Sequence, residues 1–304
     1  MPEHSGVLVM AYGTPAGLKE IEGYYTDIRG GRPPSADELA ALISRYEAIG
    51  GRSPLLEISR HQAEGLQARL EGVRTYLGMK HSEPTIPSAI AQMAADGVTS
   101  AVGLVLAPHY SSMSVGDYAR RAHRSAEEIG YNGKLEIIES WHLEPGFIDL
   151  LAGTVRAAWN RLSYGARSAG IVVFTAHSLS QRILQANDPY PEQLRATAQA
   201  VADSAGITRW RTAWQSAPTG ADDWLGPDLA ATLTEIASFG GRGVVVCPCG
   251  FVSDHLEVLY DIDVEAREVA AGLGLELVRT ELPNDDPAFL DTLCLVVRRA
   301  LRQT

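Results

Sequence analysis

The chain has 304 residues, 45% of them hydrophobic and 21% charged, so it can bury the core of one large or two ordinary α/β domains. Its formal charge of -11 leaves no basic surplus for phosphates, which argues against nucleic acid as a partner. No apolar run approaches the roughly 18 residues that span a bilayer. No basic leader precedes the first apolar run, so we expect a cytoplasmic protein without membrane insertion.

The predicted strands are short apolar runs that are rich in β-branched residues and are separated by amphipathic stretches of helical length. In the first half, these runs lie at residues 6–12, 75–79, 101–107 and 135–138. In the second half, they lie at residues 171–176, 211–215, 243–247 and 275–278. Such alternation predicts two four-stranded parallel sheets that helices cover on both faces.

The two halves also share local sequence patterns. Residues 7–13 match residues 172–178, and residues 105–109 match residues 245–249, although a pattern common to strand ends would also explain matches this short. We therefore predict an α/β protein with two similar doubly wound domains and a cleft between them. The predicted units are a first domain, a second domain and a C-terminal helix, at residues 1–150, 151–285 and 286–304.

Strand ends are where such sheets bind ligands, because the crevice lies outside the carboxyl ends of the parallel strands. Tyr12, His109, His177 and the segment around Glu257 all fall at predicted strand ends. Neither a G-x-G-x-x-G turn nor a P-loop follows any of these strands, so the sequence does not indicate a nucleotide ligand.

Arginines flank two glycine pairs in the first part of the chain. The four arginines are Arg29, Arg32, Arg45 and Arg52. A solvated surface is the ordinary explanation for any one of them. Their clustering at two flexible turns also fits an anionic ligand, which an acidic chain has to hold with local arginines.

The most informative segment follows the seventh predicted strand and contains Glu257, Asp261 and Glu265. On an α-helix this spacing of four stacks the three carboxylates on one face, where like charges repel. Such a stripe is either a solvated surface or a path for cations and protons. The apolar residues around Glu257 favour its burial, and His177 follows another apolar run directly.

Three cysteines are too few for a disulfide framework in a chain of this length. Cys247 and Cys249 flank a proline at a strand end, and Cys294 lies in the last apolar helix, where we expect it in the core. Three thiols alone do not complete a four-cysteine iron–sulfur site, so no cluster is expected.

Several sequence blocks together resemble the ferrochelatases, and the match runs in order over essentially the whole chain. The blocks are MAYGTP at residues 10–15, YYTDIR at 24–29, RYEAIGGRSPL at 45–55, LAPHYS at 106–111, TAHSL at 175–179, WQS at 214–216, WLGP at 224–227 and DHLEVLYD at 254–261. The resemblance is strongest to the soluble type of Gram-positive bacteria, which acts on coproporphyrin.

The resemblance implies that Fe²⁺ is inserted into a porphyrin, with His177 and Glu257 facing each other across the macrocycle cleft. It assigns Tyr12 to the metal side and continues the carboxylate line outward through Asp261 and Glu265. Metallation removes two pyrrole protons, which suits a neutral base with a pKa near physiological pH, and histidine is the natural choice. Carboxylates supply the path for protons and cations. No cofactor beyond the substrate Fe²⁺ is expected.

The same resemblance places Arg29, Arg45, Ser53 and Tyr118 where the porphyrin propionates are held, and Arg52 lies in the same cluster. Arginine suits carboxylates because its guanidinium can bind both oxygens. The four carboxylates of coproporphyrin III match several such groups, whereas protoporphyrin IX carries two. We therefore predict coproporphyrin III as the substrate and Fe-coproporphyrin (coproheme), an intermediate of haem biosynthesis, as the product.

Three alternatives remain open at the level of the sequence. Gly30 stands where relatives often carry a second arginine, which leaves a protoporphyrin ferrochelatase possible. A cobalt chelatase for a related tetrapyrrole would share the two-domain plan. A carrier that binds haem or metal without turnover is the alternative outside the enzymes. The resemblance also leaves room for transient contact with neighbouring enzymes of haem biosynthesis.

Overall fold

The computed structural model of the protein describes residues 4–217 and 223–303, and eight strands lie in this part of the chain. They are β1 (Ser5–Ala11), β2 (Val73–Met79), β3 (Ser100–Val105), β4 (Lys134–Ile138), β5 (Gly170–His177), β6 (Trp210–Gln215), β7 (Gly243–Cys247) and β8 (Glu276–Arg279). Each predicted apolar run coincides with one of these strands to within two residues at either end.

The strands form two four-stranded sheets with the same order, β2-β1-β3-β4 and β6-β5-β7-β8. Every neighbouring pair is parallel. The repeated order agrees with the sequence matches between the two halves. The predicted α/β class, with two doubly wound parallel sheets flanked by helices, is therefore confirmed.

Helices connect the strands and cover both faces of each sheet. They are α1 (Ile21–Ile28), α2 (Ala36–Ala48), α3 (Leu55–Arg69), α4 (Ile86–Ala95), α5 (Val115–Ile129), α6 (Pro145–Arg161), α7 (Tyr164–Ser168), α8 (Arg182–Gln185), α9 (Tyr190–Ala205), α10 (Leu229–Ser238), α11 (Leu256–Tyr260), α12 (Arg267–Gly272) and α13 (Pro287–Leu301). A π-helix, Asp261–Ala266, joins α11 to α12. No helix in the described ranges is both long and apolar enough to cross a lipid bilayer.

At the start of α2, one glutamate both caps the helix and holds an arginine that is predicted to bind the ligand. The hydroxyl of Ser35 accepts the amide hydrogen of Glu38, and the Glu38 carboxylate accepts the amide hydrogen of Ser35 at 2.7 Å. This capping box satisfies two backbone donors that a helix start leaves unpaired. The same carboxylate also holds Arg29, at 2.6 Å. Helix capping and the orientation of a predicted ligand-binding arginine therefore depend on one side chain.

The largest hydrophobic core joins the two sheets. It contains Val7 of β1, Phe174 of β5 and Phe289 of α13, all fully buried. Helix α13 packs against α3, α6 and β3, so the end of the chain returns to the first sheet. The predicted boundary after residue 150 lies inside α6, and the division into domains stays a prediction.

Candidate active site

The site begins at the carboxyl ends of two neighbouring strands of the second sheet. β5 ends at His177, and the loop after β7 leads into α11, which carries Glu257. Nε2 of His177 lies 3.5 Å from Oε1 of Glu257. The two side chains are 32% and 29% exposed, so the pair reaches the cleft instead of lying in the core. The expectation that they face each other across the macrocycle cleft is wrong, because a contact of 3.5 Å leaves no room for a ring between them.

Backbone contacts determine how the His177 ring is oriented. Nδ1 lies within short hydrogen-bonding range of the Ser178 carbonyl oxygen, which places a hydrogen on Nδ1 and directs Nε2 toward Glu257. The hydroxyl of Tyr190 donates to the carbonyl oxygen of His177 at 3.0 Å. The Trp224 ring lies 6.4 Å away between centroids. The reactive nitrogen is thus aimed by groups that do not themselves face Glu257.

Charge compensation acts on the protonation state of this pair. Burial opposes protonation of His177, but the facing Glu257 and the Ser178 carbonyl outweigh it and raise the pKa of His177 to about 9. Burial also acts against the Glu257 carboxylate, yet His177 and His255 hold the pKa of Glu257 well below its usual range. For the pair alone, these charges favour an imidazolium facing a carboxylate. The neutral imidazole that the sequence predicts for catalysis stays a prediction.

His255 is a neighbour of Glu257 to which the sequence analysis assigned no role. Its Nε2 lies 3.6 Å from Oε2 of Glu257, and its Nδ1 lies 2.9 Å from the carbonyl oxygen of Ser253. Its ring packs at 4.9 Å from that of Phe251. Both carboxylate oxygens of Glu257 therefore face an imidazole. The signal for this contact is present in the sequence, since His255 stands two positions before Glu257 in the same block.

The predicted α-helix through the three carboxylates requires correction. The chain is α-helical to Tyr260 and then forms the π-helix Asp261–Ala266. A π-helix bonds each carbonyl to the fifth residue along, so a spacing of four no longer places side chains directly above one another. Asp261 is 8% exposed, whereas Glu265 is exposed at the surface. The carboxylates form an offset series that runs from the cleft to the surface.

Asp261 links the second sheet to the first part of the chain. Its two oxygens accept short hydrogen bonds from Arg45 of α2 and from the hydroxyl of Ser216. The Arg45 guanidinium also stacks 4.6 Å over the Tyr260 ring. Burial raises the pKa of Asp261 to about 6, against the opposing effect of Arg45. One of the predicted propionate-binding arginines is thus engaged by the carboxylate series itself.

Tyr12 directly follows β1, is 40% exposed and lies close enough to the pair for the charge of Glu257 to act on its pKa. Nζ of Lys80 lies 5.7 Å from the Tyr12 ring centroid and 5.1 Å from that of Tyr118. Lys80 is also paired with Asp117 at 2.7 Å. Burial, with the charge of Glu257, raises the pKa of Tyr12 above its usual value. The Tyr12 phenol therefore stays protonated beside a cation that the sequence analysis missed, although Lys80 directly follows β2.

The remaining predicted substrate-binding residues are two arginines near the surface and two buried hydroxyl groups. Arg29 is ion-paired with Glu38, and Arg52 is exposed at the surface. Ser53 and Tyr118 are buried, at 2% and 5% exposure, and the Ser53 hydroxyl accepts the amide hydrogen of Leu55 at the start of α3. Their roles toward a ligand stay predictions.

His109, predicted at a strand end, lies in the loop that follows Val105 of β3, and its ring is only 2% exposed. Nε2 of His109 donates to the hydroxyl of Thr197 at 2.9 Å, because that hydroxyl itself donates to the His142 carbonyl. The Tyr190 ring packs against it at 6.1 Å. His109 thus joins the loop after β3 to α9 and does not border the cleft pair.

The three cysteines are buried and carry no disulfide. Cys249 places its sulfur 3.8 Å from the Thr175 carbonyl oxygen. Burial raises the pKa of Cys247 to about 12, so this thiol stays protonated at neutral pH. Cys294 packs in the main core, as the sequence predicts.

The fold with two repeated parallel sheets resembles solved structures of chelatases. A solved structure of the sirohydrochlorin chelatase SirB from Bacillus subtilis subspecies spizizenii, in complex with cobalt, has a TM-score of 0.61 over 98% of this chain and 95% of that one. The structure of CbiX, described as the terminal enzyme of sirohaem biosynthesis in denitrifying bacteria, has a TM-score of 0.54. Sequence identities of 11% and 13% limit this likeness to the fold.

The sequence itself is matched by the ferrochelatase family model over residues 4–301. It is 45% identical to the coproporphyrin III ferrochelatase of Anoxybacillus flavithermus, over 98% of this chain and 96% of that protein. It is 42% identical to a ferrochelatase of Herpetosiphon aurantiacus, over 98% of this chain and 99% of that protein. The chain belongs to the ferrochelatase family, and the resemblance predicted from the sequence blocks is confirmed.

Proposed function

We propose that this protein inserts Fe²⁺ into coproporphyrin III and releases coproheme. The observation that carries the proposal is the contact of 3.5 Å between His177 Nε2 and Glu257, with Tyr12 and the Arg45–Asp261 ion pair close to it. Family membership supports the reaction class, and the relative from Anoxybacillus flavithermus supports the choice of porphyrin. The residue roles rest on the geometry of the site.

The ionised pair has to release a proton before it can act as a base. An incoming Fe²⁺ repels the positive charge on His177, which favours the neutral imidazole. Glu257 accepts the proton from Nε2, and Asp261 and then Glu265 offer further carboxylates toward the surface. Nε2 is then free to accept the two pyrrole protons one after the other, with the first passed to Glu257 and outward before the second is taken up. A carboxylate at the entry side also lowers the electrostatic cost of bringing in a dication.

The substrate carboxylates have to compete for arginines that already have partners. Arg45 is held by Asp261, and Arg29 is held by Glu38. A propionate that takes Arg45 would release Asp261, which would couple porphyrin binding to the opening of the proton path. Arg52, Ser53 and Tyr118 are the further groups that we propose for the propionates. Four substrate carboxylates use such a set more fully than two.

The test is anaerobic metallation of coproporphyrin III and protoporphyrin IX side by side in one detergent-free buffer, with the His177→Ala variant as the baseline. Each charge-assisted hydrogen bond that protoporphyrin cannot make costs about 1.5–3 kcal/mol, so kcat/KM should favour coproporphyrin roughly ten- to a hundredfold. Equal values, or a preference for protoporphyrin, would contradict the choice of substrate but not the reaction class. The relative from Herpetosiphon aurantiacus, which is described only as a ferrochelatase, keeps this second porphyrin in the comparison.

We further propose that the enzyme needs no cofactor beyond the substrate Fe²⁺. The buried positions of Cys247, Cys249 and Cys294 support this, because three protonated or packed thiols do not make a four-cysteine cluster site. A cytoplasmic location and transient contact with neighbouring enzymes of haem biosynthesis remain predictions.

A further inference from the structure

Arg279 binds two parts of the segment that carries Glu257, although it lies outside the proposed catalytic pair. It is the last residue of β8, and its side chain is 15% exposed. Nε and Nη2 donate to the carboxylate of Asp263 in the π-helix, at 3.0 and 2.9 Å. Nη1 forms an ion pair with Oδ1 of Asp254 at 3.2 Å. One guanidinium therefore contacts the chain on both sides of Glu257.

The two carboxylates depend on this arginine to different degrees. Asp263 has a second cation, Arg267, at 3.2 Å on the surface. Asp254 uses Oδ2 to accept a hydrogen bond from Asn284 at 2.8 Å. Its Oδ1 is buried, and none of the described residues donates a hydrogen bond to it. Among the described residues, the positive charge of Arg279 therefore balances the negative charge on this oxygen. Without Arg279, Asp254 would be a buried carboxylate with no counter-charge, which is energetically costly.

The conformation of the braced segment explains why it needs support from outside. A π-helix is rare and is seen mostly as short insertions at functional sites, so tertiary contacts have to stabilise it. Asp261 is held by Arg45 and Ser216, whereas Asp263 is held by Arg279. The fork of an arginine can bind two carboxylates in a defined geometry, which a lysine cannot reproduce.

We propose that Arg279 is a positioning residue for the metallation reaction, acting by holding residues 254–263 so that Glu257 stays aligned with His177. Within the described residues, its bonds go to Asp254, Asp263 and the Thr280 carbonyl oxygen, and none goes to the pair or to Tyr12. Its effect on Glu257 therefore passes through Asp254 and Asp263. The inference rests on the proposed function of Glu257, since it gives Arg279 a role in that residue's placement.

The test compares Arg279→Gln with Arg267→Gln. Arg267 is the matched control because it also pairs with Asp263, but it is 53% exposed and does not reach Asp254. Small displacements of catalytic groups can cost up to about a hundredfold in rate. We expect Arg279→Gln to lower kcat by about tenfold or more, with the KM for coproporphyrin changed by less than about threefold. Arg267→Gln should stay within about twofold of the unsubstituted protein in both constants.

Hydrogen exchange gives a readout that does not depend on activity. Amides of residues 256–266 should exchange faster in Arg279→Gln, while the rest of the second sheet and the same amides in Arg267→Gln keep their protection. If Arg279→Gln fails to fold, Arg279→Lys and Asp263→Asn carry the test, and each should lower kcat by a smaller factor. The Asp263→Asn, Arg279→Lys double variant should lose less than the product of the two single losses, because both act through one contact.

Different results separate the two proposals. If folded Arg279→Gln, or its replacements Arg279→Lys and Asp263→Asn, keeps more than half of kcat, the positioning role is wrong. It is also wrong if exchange accelerates uniformly over the second sheet and kcat falls only with the folded fraction. If the unsubstituted protein metallates neither porphyrin, the proposed function fails instead, and local exchange still decides whether Arg279 braces the segment.

Discussion

The two sheets have the same strand order but place different chemistry at corresponding strand ends. The residue after β1 in the matched pattern is Tyr12, and its counterpart at the end of β5 is His177. Both border the cleft, at 40% and 32% exposure. The matched positions after β3 and β7 are His109 and Cys249, and both are buried. The matched residues at the ends of β1 and β5 therefore reach the cleft, whereas those in the loops after β3 and β7 are buried.

The cleft residues also differ in charge between the halves. The first half supplies cations and a phenol, with Arg45 and Lys80 as the clearest examples. The second half supplies an imidazole and a series of carboxylates beginning at Glu257. One half is thus suited to hold an anionic ligand, and the other half is suited to exchange protons and admit a cation. The scaffold is repeated, while the charges at the strand ends differ between the two halves.

The sharpest test of this division exchanges the two matched cleft residues for inert ones. His177→Ala should lower kcat by at least about a hundredfold, since removal of a general base typically costs 10²–10⁴-fold. Tyr12→Phe should cost less than about tenfold, because Tyr12 stays protonated beside Lys80. The measurement is anaerobic turnover with saturating porphyrin and iron, with circular dichroism as the control for folding. If both variants lose activity equally, the two halves share the proton chemistry.

The next largest effects should follow the carboxylate series from the cleft to the surface. Glu257→Gln should lower kcat about a hundredfold, because it removes the ionised partner of His177. Asp261→Asn should cost about tenfold, and Glu265→Gln, at the exposed end, should cost less than threefold. Rates measured at saturating porphyrin and varied iron would rank the three. If Glu265→Gln is the most damaging, the series does not conduct outward from Glu257.

Sequence reasoning recovered the strands and the parallel sheets, because continuous apolar runs are local signals. The pairing of His177 with Glu257 came from the resemblance to the ferrochelatases. Sequence reasoning could not recover the π-helix, since a spacing of four between Glu257 and Asp261 is equally compatible with an α-helix. The bond from Arg45 to Asp261 and the bond from Arg279 to Asp263 join distant parts of the chain, and no local pattern announces them. The raised pKa of His177 depends on a carboxylate that only the folded chain brings to the ring.

His109, the buried residue in the loop after β3, should make the stability of the fold depend on pH. Burial, with the neighbouring His142, lowers the pKa of His109 to about 3, below its ordinary value of about 6.5 in the unfolded chain. The unfolded chain therefore takes up a proton first as pH falls, and stability is lost from about pH 6.5 downward. Between pH 7 and pH 5, this residue should cost the fold up to about 2 kcal/mol.

The matched variant is His109→Gln, which keeps a donor for Thr197 but does not titrate. Urea denaturation at pH 7 and pH 5, followed by tryptophan fluorescence, measures the difference in unfolding free energy. The variant should lose less stability between the two pH values than the unsubstituted protein, even if it is less stable at pH 7. Equal losses in both proteins would show that His109 is not the group responsible.

The smallest effect on activity is expected at Cys247 and Cys249, the buried cysteines at the end of β7 and in the loop after it. The double substitution of Cys247→Ser and Cys249→Ser should leave iron insertion per folded molecule within about twofold, because neither thiol borders the cleft pair and both are packed in the core. Placing hydroxyls at these sites should nevertheless lower the melting temperature, since a buried hydroxyl without a full set of hydrogen bonds costs about 1–3 kcal/mol.

Anaerobically purified protein should show no iron–sulfur absorbance before or after the change. About two iron and two acid-labile sulfides per chain, lost on substitution, would mean that this strand end holds a cluster. The second half would then carry redox-active metal as well as proton chemistry, and the division between the halves would have to be redrawn.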